Sequence, residues 1–325
     1  MTVDPLQDIP DIADIHLAHA RIRLQIRQTP VVNDPGLDEE LGCRLYCKCE
    51  NLQRTGAFKF RGASNAVLRL EEEGIDGNLA THSSGNHGAA LALAANLAGR
   101  TAHVVMPDNS SKMKIDAVRS FGGVVHFCEP THESRKAGLD ALAREGMIAV
   151  HPYDESSIIA GQGTAALELE QSVPQLEQVI TPLGGGGLIG GTVIATRAWG
   201  VEVFGVEPAG AADTVLSLER GRIVDDYRPD TIADGLRAIV GQRNFYLVQK
   251  HVKQVLTVSD DDIRRAMALF WRKLKMLIEP SSATVIAAVR NHPELFAGKR
   301  VGAILSGGNI HPSGWNELTA DASTG

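Results

Sequence analysis

The stretch "QVITPLGGGGLIGGTVIATRAWGVEVFGVE", from Gln178 to Glu207, contains a complete strand–loop–helix–strand unit. Its two ends, "QVITPL" and "VEVFGVE", are short runs rich in β-branched residues, which are typical of buried strands. The segment between them is typical of an apolar helix that ends at a glycine. Because a helical crossover joins parallel strands, this unit predicts an α/β protein whose sheets are covered on both faces.

The same alternation extends in both directions along the chain. The strands "TAHVVMP", "VVHF" and "MIAVH" alternate with the helices "SKMKIDAVRSFGG" and "ESRKAGLDALAREG", and "RVGAILS" is the final strand. We predict two open, twisted parallel-sheet domains. The larger, cofactor-binding domain would comprise residues 1–67 and 154–325, and the smaller one, residues 68–153, would close over the substrate. Ligands of such folds bind beyond the carboxyl ends of the strands, so we expect the site in the cleft between the domains.

Composition narrows the class of protein. The 325-residue chain has a net charge of -7, which gives no basic surface for nucleic acid, and it has no apolar run of the roughly 20 residues that span a membrane. No signal peptide is visible at the N-terminus. In "CRLYCKCE" the cysteine spacing is unlike a zinc site, and the alternation predicts a half-buried strand with free thiols. These features favour a cytoplasmic protein without nucleic-acid or membrane partners.

The stretch "TGAFKFRGASNAV" places one lysine, Lys59, between two phenylalanines and contains no acid. Small and apolar residues follow at helical spacing, so the lysine lies near the N-terminus of a helix. Burial and the positive end of the helix dipole both disfavour the charged amine and lower its pKa. Lys59 is therefore a candidate nucleophile and base, although its tip could also simply reach water.

Two further loops offer anion-binding backbone. In "THSSGNHGAALALAA" the turn from Ser83 to Asn86 separates a strand from a helix, and its N–H groups and hydroxyls suit a carboxylate. In "TPLGGGGLIGG" four glycines precede a helix and suit a phosphate. Gly185, Gly187 and Gly190 also satisfy the G-x-G-x-x-G pattern, with Glu207 at the end of the next strand, so an NAD-binding protein is the alternative from another class.

The fourth loop, "AILSGGNI", places Ser306 at the end of an apolar strand, where its hydroxyl could face a ring nitrogen. A buried amine, a carboxylate turn, a phosphate loop and this hydroxyl together match the needs of pyridoxal 5'-phosphate (PLP).

With "TGAFKFRGA", "SSGNHG", "GGGGLI", "VEP" and "LSGGN" in this order, the sequence resembles the fold type II PLP enzymes, which have a tryptophan-synthase-β-like fold, and specifically the serine/threonine dehydratase and serine racemase group. The resemblance implies that Lys59 forms the Schiff base with PLP, that Asn86 bonds the 3'-oxygen and that Ser306 meets the pyridine nitrogen. The implied cofactor residues are Phe58, Lys59, Asn86, Gly184, Gly185, Gly186, Gly187, Leu188 and Ser306. The implied substrate residues are Ser83, Ser84, Gly85, Asn86, His87, Arg135 and Ala238.

Members of this group also carry a divalent cation near the phosphate. The matching stretch here is "VEPAGAAD", which implies Glu207, the carbonyl of Ala211 and Asp213 as ligands of Mg²⁺ or Ca²⁺. This interpretation removes Glu207 from the ribose-binding role that the NAD alternative requires.

The activity implied is α,β-elimination from a 3-hydroxy amino acid to a 2-oxo acid and ammonia. Ser84, on the face opposite Lys59, leaves a serine racemase as the nearest alternative, with Lys59 and Ser84 as an acid/base pair. Arg135 matches a residue that can approach a distal carboxylate, whereas Ala238 would admit a larger or more apolar side chain. Serine, threonine, 3-hydroxyaspartate and 3-phenylserine therefore all stay open as substrates, and a homodimer is expected.

Overall fold

The computed structural model describes residues 5–83 and 85–324. Within that part of the chain, α-helices and strands alternate as the sequence predicts. The helices are α1 (Ile12–Ile22), α2 (Pro35–Leu41), α3 (Lys59–Glu72), α4 (Asn86–Leu97), α5 (Lys112–Ser120), α6 (His132–Arg144), α7 (Ser156–Ser172), α8 (Gly187–Thr196), α9 (Asp213–Arg220), α10 (Gln242–His251), α11 (Asp260–Leu274), α12 (Pro280–Asn291), α13 (Pro293–Phe296) and α14 (Pro312–Thr319).

The strands form two separate sheets. They are β1 (Val31–Val32), β2 (Arg44–Cys49), β3 (Leu79–His82), β4 (Ala102–Pro107), β5 (Val124–Cys128), β6 (Ile148–Ala149), β7 (Gln178–Pro182), β8 (Glu202–Pro208), β9 (Gln254–Val258) and β10 (Arg300–Leu305). The larger sheet has the order β1-β2-β10-β7-β8-β9 and the smaller one β5-β4-β3-β6. Neighbouring strands are parallel except at the edge, where the two-residue strand β1 runs antiparallel to β2.

The predicted α/β class with two parallel sheets is confirmed. All strands of the smaller sheet lie between residues 79 and 149, within the segment predicted to be the small domain. The exact domain limits, and closure of the small domain over substrate, stay predictions.

The prediction of a half-buried strand at "CRLYCKCE" is wrong at Lys48. In β2 the alternation ends at Tyr46, and Lys48 is as fully buried as the cysteines on either side of it. The reason is an ion pair: the Lys48 Nζ lies 2.6 Å from Glu168 Oε2 and donates to the Thr29 carbonyl at 2.7 Å. Cys43, Cys47 and Cys49 are free, as predicted, and Cys128 is free as well.

Lys48 belongs to a buried ion cluster that holds α3 against the larger sheet. Arg61, two residues after Lys59, donates to both carboxylate oxygens of Glu50 at 2.7 and 2.8 Å and to both of Glu168 at 2.8 Å. These four side chains are at most 1% exposed. Two positive and two negative groups balance, so the cluster is neutral, and the Arg61 guanidinium on α3 has its partners on α7 and in the turn after β2.

Removing Arg61 should leave the buried carboxylates of Glu50 and Glu168 with only Lys48 to balance their two charges. We expect Arg61→Met to lower the free energy of unfolding by about 3–5 kcal/mol. The matched control is Arg69→Met on the same helix, where the partner Glu73 and Arg69 are 43% and 47% exposed; we expect a loss of about 0–1 kcal/mol there. Urea unfolding, monitored by circular dichroism, measures the free energy of unfolding of both variants. Equal losses in the two variants would contradict a stabilising role of the cluster.

Candidate functional site

Lys59 is the first residue of α3 and is held beside the end of β10. The N–H of Phe58 donates to the Ser306 carbonyl at 2.9 Å, and Ala57 pairs with Gly307 in a short bridge. The Lys59 Nζ donates to the Pro152 carbonyl at 2.9 Å. Burial lowers the pKa of the Lys59 amine from 10.5 to about 8. The neutral, nucleophilic form of this amine is therefore far more populated near neutral pH than in an ordinary lysine.

The glycine loop connects β7 to the N-terminus of α8, as predicted. Gly186 has a φ of 89°, and a Cβ on Gly185 would lie 2.4 Å from the Tyr153 ring, so neither position tolerates a side chain. In the described part of the chain, no hydrogen bond is donated by the N–H groups of residues 184–187. All five predicted residues, Gly184 to Leu188, are buried. Unpaired N–H groups at a helix N-terminus form an anion site that fits a phosphate.

Ser306 follows β10 and is 4% exposed. Its Oγ lies 3.1 Å from the Ser282 Oγ, and Ser282 in turn donates to the Gly307 carbonyl at 2.7 Å. The hydroxyl is thus fixed at the strand end, next to the residues that precede Lys59.

The predicted carboxylate turn lies between β3 and α4. Ser84 lies outside the described residues. The Gly85 N–H bonds the Ser83 Oγ at 3.2 Å, and the Asn86 amide bonds Glu279 and Asn309. His87 is buried, and burial, followed by the positive charge of Lys59, lowers its pKa well below the ordinary value.

Sequence reasoning missed Tyr153 and His151. The Tyr153 ring covers Gly185, and its centroid lies 5.9 Å from the Lys59 Nζ. The His151 Nδ1 accepts the N–H groups of Tyr153 and Asp154, so a neutral ring carries its proton on Nε2. Burial, followed by the charges of Lys59 and Arg243, lowers the His151 pKa to about 4. The sequence feature that could have identified Tyr153 and His151 is their position in "VHPYD", directly after strand β6.

The predicted cation ligands lie together at the end of β8. Glu207 and Asp213 are both 0% exposed; burial and then the charge of Asp213 raise the Glu207 pKa to about 8, and burial raises that of Asp213 to about 6. Asp213 Oδ1 has no hydrogen-bond partner within the described residues. Ala211 is also fully buried and lies between the two acids in sequence. An orphaned carboxylate oxygen beside a second buried acid fits a divalent cation.

This arrangement argues against the NAD alternative. Glu207 accepts the N–H groups of Thr214 and Val215, both at 3.0 Å. A fully buried carboxylate with these partners is not available to a ribose hydroxyl.

The two predicted specificity residues are less directly connected to the site. Arg135 is half-buried on α6, and its Nε donates to the Thr131 carbonyl one turn earlier at 3.2 Å. Burial raises the Tyr153 pKa to about 12, and the positive charge of Arg135 opposes this rise. Ala238 is half-buried in the segment before α10, whose Gly241 N–H donates to the Gly185 carbonyl at 3.1 Å.

The described residues contain no group of three or more histidine, cysteine, aspartate or glutamate side chains arranged to hold a metal, so a cation at Glu207 and Asp213 would need the Ala211 carbonyl or water as well. In the same residues, no helix is both long and apolar enough to cross a bilayer.

Comparison with known proteins identifies the family. A β-hydroxyaspartate dehydratase from Paracoccus denitrificans is 44% identical over 93% of this chain and 97% of its own. A serine racemase from Dictyostelium discoideum is 41% identical over 94% of this chain and 97% of its own. The structure of maize serine racemase superimposes with a TM-score of 0.91 at 37% identity, covering 96% of this chain and 97% of that one.

The model of one family, described as pyridoxal-phosphate dependent enzyme, matches residues 22–307. Together with these relatives, the match confirms the predicted family, the predicted fold type and PLP as the cofactor. The protein is a member of the pyridoxal-phosphate dependent enzyme family.

Proposed function

We propose that the protein is a dehydratase of 3-hydroxyaspartate, which it converts to the 2-oxo dicarboxylic acid and ammonia. The predicted PLP-dependent dehydratase class agrees with the dehydratase among the relatives. The observation that carries the choice of a dicarboxylate is Arg135. In the described part of the chain this half-buried residue forms no ion pair with an acid, although its charge acts on Tyr153. A substrate with a second carboxylate would supply the missing charge.

The residues present fit PLP. Lys59 supplies the amine, the N–H groups of Gly184 to Gly187 would hold the phosphate, and the Ser306 hydroxyl would face the ring nitrogen. PLP, when bound, supplies an electron-withdrawing ring that acidifies the substrate Cα–H bond.

The chain's own residues then complete the elimination. The turn from Ser83 to His87 would bind the α-carboxylate, and Arg135 the distal one. Neutral Lys59 would take the Cα proton at Nζ, while the 3-hydroxyl leaves with a proton as water. The unsaturated amine that remains gains water and loses ammonia, so the net products are the 2-oxo acid and ammonia.

A serine racemase is the second candidate, because relatives of this name are about as similar as the dehydratase. Ser84 would then carry the second proton, on the face opposite Lys59. Incubation with 3-hydroxyaspartate and with serine, followed by measurement of ammonia, 2-oxo acid and the enantiomers of remaining substrate, separates the two. Inversion faster than ammonia release would favour the racemase.

We also propose, from the family resemblance, that the chain forms a homodimer and that it is cytoplasmic. The four free cysteines agree with a reducing compartment. Light scattering of the holoenzyme would contradict the dimer if it gave the 34.8 kDa mass of one chain.

If Arg135 binds the distal carboxylate, Arg135→Ala should raise KM for 3-hydroxyaspartate at least about 30-fold, equivalent to about 2 kcal/mol, and leave KM for serine unchanged. Arg144→Ala is the matched control, because Arg144 lies on the same helix with its Nε on the Asp140 carbonyl at 3.2 Å, yet it is exposed. Steady-state kinetics with both substrates measures the effect. An equal rise in KM for both substrates would overturn the proposal that Arg135 binds the second carboxylate of a dicarboxylate substrate.

We propose that Glu207, Asp213 and the Ala211 carbonyl bind Mg²⁺ or Ca²⁺. Without the cation both acids have raised pKa values, so the free energy of unfolding falls as pH rises from 4.5 to about 8 for Glu207 and from 3.8 to about 6 for Asp213. Cation binding requires their charged forms, so added cation should raise the melting temperature more at pH 8 than at pH 6.

The stabilisation should reach about 2.7 kcal/mol when the cation concentration is 100 times its Kd. Asp213→Asn should abolish it. Glu202→Gln, at a half-buried position on the strand that carries Glu207, should not. A cation effect that survives Asp213→Asn would place the ion elsewhere.

A further inference from the structure

Glu279 is a buried acid that the elimination described above does not use. It directly precedes α12, is 5% exposed, and its N–H donates to the Gly307 carbonyl at 3.1 Å, next to Ser306. A Cβ on Gly307 would lie 2.7 Å from Glu279 Oε1, so the carboxylate is pressed against the strand end.

The Glu279 carboxylate and Asn309 together fix the Asn86 amide. Asn86 Nδ2 donates to Glu279 Oε1 at 2.9 Å and to Oε2 at 3.2 Å. Asn86 Oδ1 accepts from Asn309 Nδ2 at 2.9 Å, and the same Nδ2 group donates to the Thr55 carbonyl at 2.8 Å. The Asn309 N–H completes the set by donating to Glu279 Oε2 at 3.3 Å. Both ends of the Asn86 amide therefore have partners that permit only one orientation.

No ion pair neutralises Glu279 within the described residues. Its pKa is raised to about 7, by burial and then by the charge of Asp234, while the Asn86 hydrogen bond, the charge of Lys114 and the Asn309 N–H oppose the rise. Lys114 and Asp234 themselves form an ion pair. Among the groups that favour its charged form, the Asn86 amide has the largest effect.

Protonation of Glu279 would remove this arrangement. A protonated carboxyl group has to donate a hydrogen bond, but Asn86 presents a donor to it and the Asn309 N–H is a donor as well. The neutral acid would therefore require the Asn86 amide to turn over, which would break the bond from Asn309.

We propose that Glu279 is a positioning residue: its carboxylate sets the orientation of the Asn86 amide on which the predicted contact to the 3'-oxygen of PLP depends. The proposal rests on the family's cofactor and on the predicted role of Asn86, and it is independent of which hydroxy amino acid is the substrate. Ionisation of Glu279 should therefore change the absorbance spectrum of the holoenzyme, because the 3'-oxygen is part of the PLP chromophore.

The test uses the holoenzyme spectrum and the affinity of the apoprotein for PLP. Between pH 6 and 8 the wild-type spectrum should change with a midpoint near 7, and Glu279→Gln should remove this midpoint. Glu279→Gln should also weaken PLP binding about tenfold or more, the effect of losing one hydrogen bond to a charged group. Glu155→Gln is the control: Glu155 is another acid whose pKa burial raises, but it bonds the His151 N–H and Ser157, not Asn86, so both readouts should stay as in the wild type.

A double-mutant cycle separates action through Asn86 from a general effect on the fold. If Glu279 acts through Asn86, Glu279→Gln should weaken PLP binding in the wild type but have little further effect in Asn86→Ala. Additive losses, or a spectrum whose pH midpoint survives Glu279→Gln, would overturn the proposal. Should Glu279→Gln fail to fold, Asn309→Ala tests the same arrangement from the other end of the amide, because it removes the hydrogen bond to Asn86 Oδ1 and keeps Glu279. The affinity for PLP should fall as in Glu279→Gln, and unchanged affinity would equally overturn the proposal.

Discussion

The ion cluster around Arg61 fixes the start of α3, and the position of the Lys59 amine depends on it. Arg61 makes four hydrogen bonds to the carboxylates of Glu50 and Glu168, so a rotation or shift of α3 would break several buried charge pairs at once. On the other side, the Phe58 N–H on the Ser306 carbonyl holds the preceding residue to the end of β10. The amine is thus positioned from both sides before any cofactor binds.

Around this amine, burial has made the ordinary charged state of most titratable groups unfavourable. Lys59, His87 and His151 have lowered pKa values, whereas Glu207, Asp213 and Glu279 have raised ones. The bases are therefore favoured as neutral nucleophiles and hydrogen-bonding groups, which elimination chemistry requires. Fixed amide donors face Glu279, and the cation that we propose would restore the charge of Glu207 and Asp213. One physical effect, removal from water, thus prepares both parts of the site.

What the sequence could predict depended on whether a residue's role is local. Lys59, the glycine loop and Ser306 are recognisable because strand ends, helix starts and consecutive glycines lie beside them in the chain. The partners of Arg61 and of Asn86 are not recognisable, because Glu168 and Glu279 are 107 and 193 residues away from them. Lys48 was misassigned for the same reason: alternation predicts which face a side chain occupies but not whether a distant acid neutralises it there.

The central claim is that the fold itself converts Lys59 into a nucleophile by removing its amine from water. The most direct measurement is the rate at which the apoprotein forms its covalent bond to added PLP, followed by absorbance between pH 6 and 10, with Lys59→Ala as the control that shows no bond. The rate is proportional to the neutral amine, so half of the maximal rate is expected at about pH 8. A midpoint near the ordinary lysine value of 10.5 would contradict the account.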